Sequence, residues 1–387
     1  MILMKVLGNF DDAVSAPAMA PFEQNVLEFF NALSKKLTKV RKYSDVATFG
    51  FWCRKASLLS EKANYSDLGS RIGRGIVFHS TPSNVPVNFA FSFAAGLLSG
   101  NANIVRLPGK DFEQVSIITE AIAELLADKY EFLAPYIYFV KYPPDRMLHD
   151  RFSSVCDVRV IWGGDNTIRE LRESPLKPRA TELTFADRYS IAVIDSDEYL
   201  KATDKAAIAL DFYNDTYFSD QNACTAPRIV FWLGSQKEAA KKAFWENVRI
   251  LSEEKYDLAP VQSVGKLAAF YKAAANMPVQ FIDSESFFVT RVHLLELTED
   301  VVQYIFSSGF FFEHDIDSLE GLLPVCGERL QTLTYYGLTR DDIEKFIKTY
   351  RPKGIDRAVP LGKSMDFSLI WDGHDLIRSM TRVIYGI

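Results

Sequence analysis

Paired cysteines are missing from this sequence. Its 387 residues include four cysteines, Cys53, Cys156, Cys224 and Cys326, far apart and with no CxxC. That argues against a disulfide framework and against a cysteine-based zinc site. No GxGxxG and no GxxxxGK[ST] occurs, so neither the common dinucleotide fingerprint nor a P-loop is written here. Five histidines are present, His79, His149, His293, His314 and His374, and none stands in HExxH. Glu313, His314, Asp315 and Asp317 are close in sequence. Neighbours on one strand or helix do not all face one point, which disfavours a metal cluster. Excess positive charge is also absent: 44 Lys and Arg stand against 50 Asp and Glu, a formal charge of −6. Without surplus cations to displace counterions, nucleic-acid binding is disfavoured as the main activity. The most apolar run, Val85 to Leu98, is shorter than the roughly 20 residues a membrane span needs. The opening MILMKVLGNFDD lacks a long apolar core and does not read as a signal peptide. The cytoplasm is the expected compartment.

What is present is ordinary globular composition, 48% hydrophobic and 24% charged, in a chain long enough for two or three domains. Short apolar runs alternate with helical patterns. Residues 75–80, 101–107, 136–143 and 158–164 read as strands. Residues 21–38, 46–59, 85–98, 111–129 and 166–174 have helical spacing. This is the pattern of βαβ units and a mostly parallel sheet. A strand at 188–195 and a helix at 204–216 follow, then a polar loop, a strand at 228–233 and a charged helix from Lys237. The expected division is 1–204, 205–355 and a tail, 356–387, packing on the body or on a neighbouring subunit.

Three segments carry chemistry. Cys224 lies in SDQNACTAPR, a polar loop just before a strand. Structural cysteines usually sit in apolar runs, whereas a reactive thiol needs access and polar neighbours. Cys224 is thus either a nucleophile or a space-filler at a domain junction. Asn84, in TPSNVP, lies at a strand-to-helix junction. It is either an amide donor for an oxyanion or a helix N-cap. Gly163 and Gly164 end a strand in IWGGD, where bare backbone can approach a phosphate. The phenylalanines, 29 in all, read first as core.

These segments also resemble the acyl-CoA reductase family of bacterial bioluminescence, within the aldehyde dehydrogenase superfamily. The resemblance rests on ordered blocks: residues 75–111, IWGGDNTIREL at 161–171, RATELTFADRYSIAVID at 179–195, DQNACTAPR at 220–228, QTLTYYGL at 331–338 and residues 355–377. It implies an aldehyde-dehydrogenase-like α/β fold, with a Rossmann-like cofactor domain followed by an α/β catalytic domain. It implies that Cys224 is the nucleophile. Asn84 would help hold the oxyanion, with the Cys224 backbone N–H, and Glu182 would manage protons. Arg106, Gly163 and Gly164, with Pro82, Ser83 and Thr184, would meet the cofactor. Thr184 and Phe185 stand where the superfamily usually has two glycines, and Asp220 where it has the glycine of GQxC. Glu313 and Glu320 are the candidates for the second dehydrogenase glutamate.

The activity implied is reduction of a long-chain acyl thioester to an aldehyde through an acyl-cysteine. NADPH is the expected cofactor, with NADH as the alternative, because a guanidinium at position 106 suits a 2′-phosphate. The implied donors are acyl-CoA or an acyl-carrier or acyl-protein synthetase partner, and a homo-oligomer is expected. The competing readings are an oxidative aldehyde or semialdehyde dehydrogenase and a non-catalytic or acyl-transfer subunit.

Overall fold

A computed structural model describes residues 4–282 and 286–386. The described chain divides into two compact units, 4–186 with 367–386 and 187–366 without 283–285. The expected boundary at 204 is therefore too late. The strand at Tyr189–Asp195 hydrogen-bonds along both sides to strands of the second sheet, so it cannot belong to the first. The expected separate tail is also corrected. Residues 356–366 belong to the second unit and the rest to the first.

The first unit is built on six strands: β1 (Met4–Leu7), β2 (Ile76–Ser80), β3 (Ala102–Arg106), β4 (Ile137–Lys141), β5 (Val158–Trp162) and β6 (Thr181–Phe185), in the order β1-β4-β3-β2-β5-β6. Only β1 runs antiparallel to its neighbour. β2 is buried at every position, as a central parallel strand covered on both faces should be. Helix α1 (Gln24–Leu37) buries Val26, Phe29, Phe30 and Leu33 on one face. Helix α2 (Asn88–Leu98) is buried almost all round, which explains its apolar sequence without a membrane. No helix of the described residues is long and apolar enough to cross one. Helices α3 (Glu113–Leu126), α4 (Arg146–Val155) and α5 (Asp165–Arg172) follow β3, β4 and β5. Residues near the C-terminus close this core: Leu376, Ile377 and Met380 are buried in it, and Thr381–Val383 pairs with Arg71–Gly73.

The second unit carries seven strands: β7 (Tyr189–Asp195), β8 (Pro227–Leu233), β9 (Val279–Ile282), β10 (Thr290–Leu294), β11 (Phe310–Asp315), β12 (Leu330–Tyr336) and β13 (Arg357–Pro360), in the order β9-β10-β11-β8-β7-β12-β13. All neighbours are parallel except β9 and β10. Helix α6 (Lys205–Thr216) joins β7 to the loop that carries Cys224, and α7 (Lys237–Lys255) and α8 (Pro260–Ala274) follow β8. Phe212, Phe244, Trp245 and Phe311 pack ring against ring between helices and sheet. The phenylalanines there are core.

Candidate active site

In the first unit a cavity of about 1080 Å³ opens at the carboxyl ends of β2, β3, β4 and β5. Strand order reverses between β2 and β5, and open parallel sheets bind ligands outside the carboxyl ends of strands at such a switch point. Pro82, Ser83, Asn84, Arg106, Gly163 and Gly164 all line this cavity. Asn84 is exposed, four residues before the first residue of α2, whose N-cap is Val87. The N-cap reading of Asn84 is thereby excluded, and its amide is left at the cavity mouth.

Arg106 is half-buried. Its Nε and Nη2 donate to the Tyr142 carbonyl at 3.4 and 3.3 Å, and its guanidinium lies 5.0 Å from the Tyr142 ring centre. Burial lowers its pKa. Three cations line the cavity. Lys141 is paired with Asp111, and Arg146 with Asp150 and Glu173. Arg106 has no ion pair among the described residues. A desolvated cation without a counter-charge is a fitting receptor for an anionic group. The glycine turn fits less strongly. Gly164 caps α5 without a side-chain bond, leaving backbone N–H groups for an anion. The first-turn acid Asp165, however, already opposes the dipole.

Glu182 and Thr184 are on β6 and do not line the cavity. Glu182 Oε2 accepts from Arg159 Nε and Nη2 at 2.8 and 2.5 Å, and Oε1 accepts from Arg172 at 2.7 Å. Both oxygens of this carboxylate are thus engaged by guanidiniums of the first unit. Phe185, in place of a glycine, stacks on Trp162 with ring centres 3.8 Å apart and planes 11° apart. Trp162 itself lines the cavity. The added bulk is thus absorbed by an aromatic partner on the neighbouring strand.

Cys224 is in the second unit. It sits in a turn just before β8, at the amino ends of β7 and β8. Of the four cysteines it alone is partly exposed. Burial pushes the Cys156 and Cys326 thiols up to about 12, and Cys53 is fully buried. None of these three is poised to react.

The turn before Cys224 is built to be stiff. Asp220 and Gln221 have φ of 50° and 52°, a left-handed conformation that non-glycine residues adopt at a cost. Buried Gln221 compensates. Its Nε2 donates to the carbonyls of Pro227 and Phe310 at 3.3 and 3.2 Å, and its Oε1 accepts from Gly309 N at 2.7 Å. Asp220 accepts from the Tyr256 hydroxyl and from Gln262 Nε2. Ser190 Oγ donates to the Cys224 carbonyl at 2.7 Å.

Two arginines supply the local field. Arg228 donates to the carbonyls of Phe306 and Gln221. Its pKa is pushed down to about 10 by burial, with Asp220 and the Cys224 thiolate opposing that shift. Arg357 donates to the carbonyls of Lys363, Ser364 and Asp366. Burial lowers it, and Asp366, Asp215 and Cys224 oppose the shift. A thiolate at Cys224 therefore faces positive charge, the environment of reactive cysteines. Sequence reading missed Arg357 and Asp215. Asp215, on α6, accepts from Gly362 N and Ser364 N at 2.7 and 2.9 Å, and burial lifts it to about 6. No spacing rule links residue 215 to residues 357–364.

Glu313 is fully buried and accepts from Trp232 Nε1, Trp245 Nε1 and Arg291 Nε at 2.9, 2.7 and 2.7 Å. Its lone pairs are engaged by the fold. Glu320 accepts from the Tyr350 hydroxyl at 3.0 Å. No group of three His, Cys, Asp or Glu able to hold a metal occurs among the described residues.

The sequence model of the family described as "Acyl-CoA reductase (LuxC)" matches residues 52–383. The chain is 22% identical over 331 residues to the long-chain acyl-protein thioester reductase of Vibrio harveyi, covering 80% of this chain and 63% of that protein. It is 25% identical over 162 residues to the protein of the same description from Aliivibrio fischeri, covering 42% of this chain and 32% of that one. The chain thus spans under two thirds of the length of these relatives. Among solved structures, aldehyde dehydrogenase 21 from Physcomitrella patens superposes with a TM-score of 0.64 at 12% identity, covering 97% of this chain and 88% of that one. The aldehyde-dehydrogenase-like α/β fold is therefore present, with a Rossmann-like sheet in the first unit.

Proposed function

The chain belongs to the acyl-CoA reductase (LuxC) family, and from that premise we propose that it reduces a long-chain acyl thioester to an aldehyde through an acyl-Cys224 intermediate, using NADPH. The observation that carries this reading is the Cys224 turn: a partly exposed thiol in a braced, left-handed turn beside two guanidiniums. The same description of relatives as acyl-protein thioester reductases supports a thioester donor, from CoA or from an acylated protein partner.

The Cys224 thiolate attacks the thioester carbonyl carbon. The carbon–sulfur bond to the donor breaks, the donor thiol leaves with a proton, and the acyl group stays on Cys224 Sγ. The Cys224 backbone N–H is one donor for the tetrahedral oxyanion. Asn84 is the side chain that the family resemblance assigns to the same charge. When bound, a reduced nicotinamide would supply a hydride to the acyl carbon; the bond from that carbon to Cys224 Sγ would then break, releasing the aldehyde and restoring the Cys224 thiolate. Arg106 would hold an anionic group of that cofactor, and the Gly163–Gly164 turn would admit its phosphates. Glu182, bound to Arg159 and Arg172, ties β6 to β5 and α5 instead of acting as a base.

The test is to incubate the protein with acyl-CoA thioesters of graded length, with and without NADPH or NADH. Adducts are located by peptide mass spectrometry while cofactor oxidation and aldehyde are followed. The expected result is an acyl mass on Cys224 that disappears with NADPH as aldehyde forms, and that Cys224→Ala abolishes. Asn84→Ala should slow turnover by about 10²-fold while Cys224 still alkylates. Absence of any adduct on a Cys224 that still reacts with iodoacetamide would sink the thioester reading.

A further inference from the structure

Position 220 opens the Cys224 turn with a φ of 50°. Glycine takes that conformation without strain, whereas aspartate takes it at a cost. The carboxylate that stands there is gripped from three directions. Its Oδ1 accepts from the Tyr256 hydroxyl, and its Oδ2 accepts from Gln262 Nε2 at 3.2 Å and from Asn222 Nδ2 at 3.4 Å. The grip is itself fixed. Gln262, in the first turn of α8, also donates to the Tyr256 hydroxyl at 3.1 Å, while its Oε1 accepts from Ala259 N at 2.7 Å. Tyr256, just past the end of α7, sets its ring edge-on against buried Tyr217 with centres 5.1 Å apart. Burial and the bond to Asp220 both raise the Tyr256 pKa, so its hydroxyl stays a donor.

Arg228 feels both Asp220 and the Cys224 thiolate. Its hydrogen bonds go to the carbonyls of Phe306 and Gln221, and it forms no ion pair among the described residues. A carboxylate free to turn would pair with that guanidinium and screen it from the thiolate. We propose that Asp220 is a positioning residue for Cys224: while Tyr256 and Gln262 hold its carboxylate, the charge of Arg228 is left to the thiolate, and a loosened Asp220 withdraws it. The inference rests on Cys224 as the nucleophile of the proposed reaction. Two other cations stand near. Arg357 is shared by Asp366, Asp215 and Cys224, and Lys266, buried on α8, is attracted by Asp220. Asp215, lifted to about 6 by burial, is present in every variant below and drops out of their comparison.

The test is the rate of Cys224 alkylation by iodoacetamide as a function of pH, with the modified peptide identified by mass spectrometry. The thiolate is the reacting form, so the midpoint of the curve reads the acidity of the thiol. Asp220→Asn and Asp220→Gly remove the charge with residues that suit a left-handed turn, which favours their folding. Each should move the curve down by about one pH unit, a gain of about tenfold in thiolate below the midpoint. Tyr256→Phe releases the carboxylate toward Arg228 and should move the curve the other way, with about threefold less thiolate. In the double variant, Tyr256→Phe with Asp220→Asn, that upward shift should vanish. A merely structural role would not shift the midpoint in opposite directions. Asp220 variants with the wild-type midpoint overturn the inference and leave the acyl-cysteine reading standing. An upward shift that persists in the double variant overturns the part given to Tyr256. No alkylation of Cys224 at any pH overturns both the inference and the nucleophile it rests on. The two Asp220 variants decide even if Tyr256→Phe fails to fold.

Discussion

A methyl group at Gly96 would lie 2.0 Å from Asn103 Oδ1 and 2.9 Å from His79 Nε2. Those atoms belong to a buried chain of hydrogen bonds under the cavity of the first unit. Trp162 Nε1 donates to Ser92 Oγ at 2.9 Å, Ser92 bonds His79 Nδ1 at 2.7 Å, and His79 Nε2 meets Asn103 Oδ1 at 3.0 Å. Because Asn103 Oδ1 can only accept, the proton is on Nε2, and Ser92 donates to Nδ1. Asn103 Nδ2 then donates to the Asn101 carbonyl at 2.7 Å. The chain links α2 to β2, β3 and β5, three of the strands whose carboxyl ends line the cavity. Gly96→Ala must break this network or push α2 off the sheet. It should cost about 2–4 kcal/mol, the sum of overpacking and a stranded buried polar group. Chemical denaturation of the variant checks this, and an unchanged midpoint would refute the packing account.

At the scale of elements, the loop between α6 and β8 holds its strained turn only through long-range bonds. Gln221 reaches the carbonyl of Phe310 and the amide of Gly309, nearly ninety positions away. Gln221→Ala removes these bonds and leaves buried backbone groups unpaired. We expect a stability loss of about 2–4 kcal/mol. We also expect a larger spread of Cys224 alkylation rates, read by iodoacetamide kinetics at fixed pH. Retention of wild-type kinetics would show that the turn needs no such brace. This dependence marks the limit of what was legible in the sequence. Period and turn signals located β2, β3, β5, β7 and α2, because each is a locally consistent run. The helix read over 46–59 is instead two, Ser44–Trp52 and Lys55–Lys62. Arg54 between them is extended, and the second helix begins where Lys55 N donates to Asn31 Oδ1. That partner is on α1, out of reach of any local pattern. The same holds in the site. Cys224, Asn84 and Arg106 stand in short ordered motifs. Arg357 and Asp215 enter only through contacts across the sheet, and Glu182 matched a motif while its carboxylate was claimed by Arg159 and Arg172.

At the scale of the whole molecule, the two units respond to acid in opposite ways. The first holds two buried, neutral histidines. Burial depresses both His79 and His149 to about 4. A histidine whose folded pKa is depressed contributes stability above its unfolded pKa of about 6.5, and loses it as pH falls toward the folded value. At pH 5 each costs the first unit about 2 kcal/mol relative to pH 7. The second unit holds Asp215, raised to about 6 by burial. A carboxyl with a raised folded pKa stabilises below its unfolded value and loses that contribution as pH rises through 6. Acidification from pH 7 to pH 5 therefore relieves Asp215 while it taxes the histidines. His293, also in the second unit, is lowered by burial and by Lys241, with Asp315 and Glu313 opposing, and it offsets part of that relief. Hydrogen exchange followed by mass spectrometry at the two pH values, corrected for intrinsic rates, separates the units. Peptides from β2, β3 and α2 should lose protection at pH 5 by about tenfold or more. Peptides from α6 and from 357–366 should hold or gain it. His79→Gln keeps a polar group in the network but removes the titration, and should remove part of the acid loss in β2. Uniform loss across both units would mean that acid acts on the chain through its total charge and not through these three buried groups.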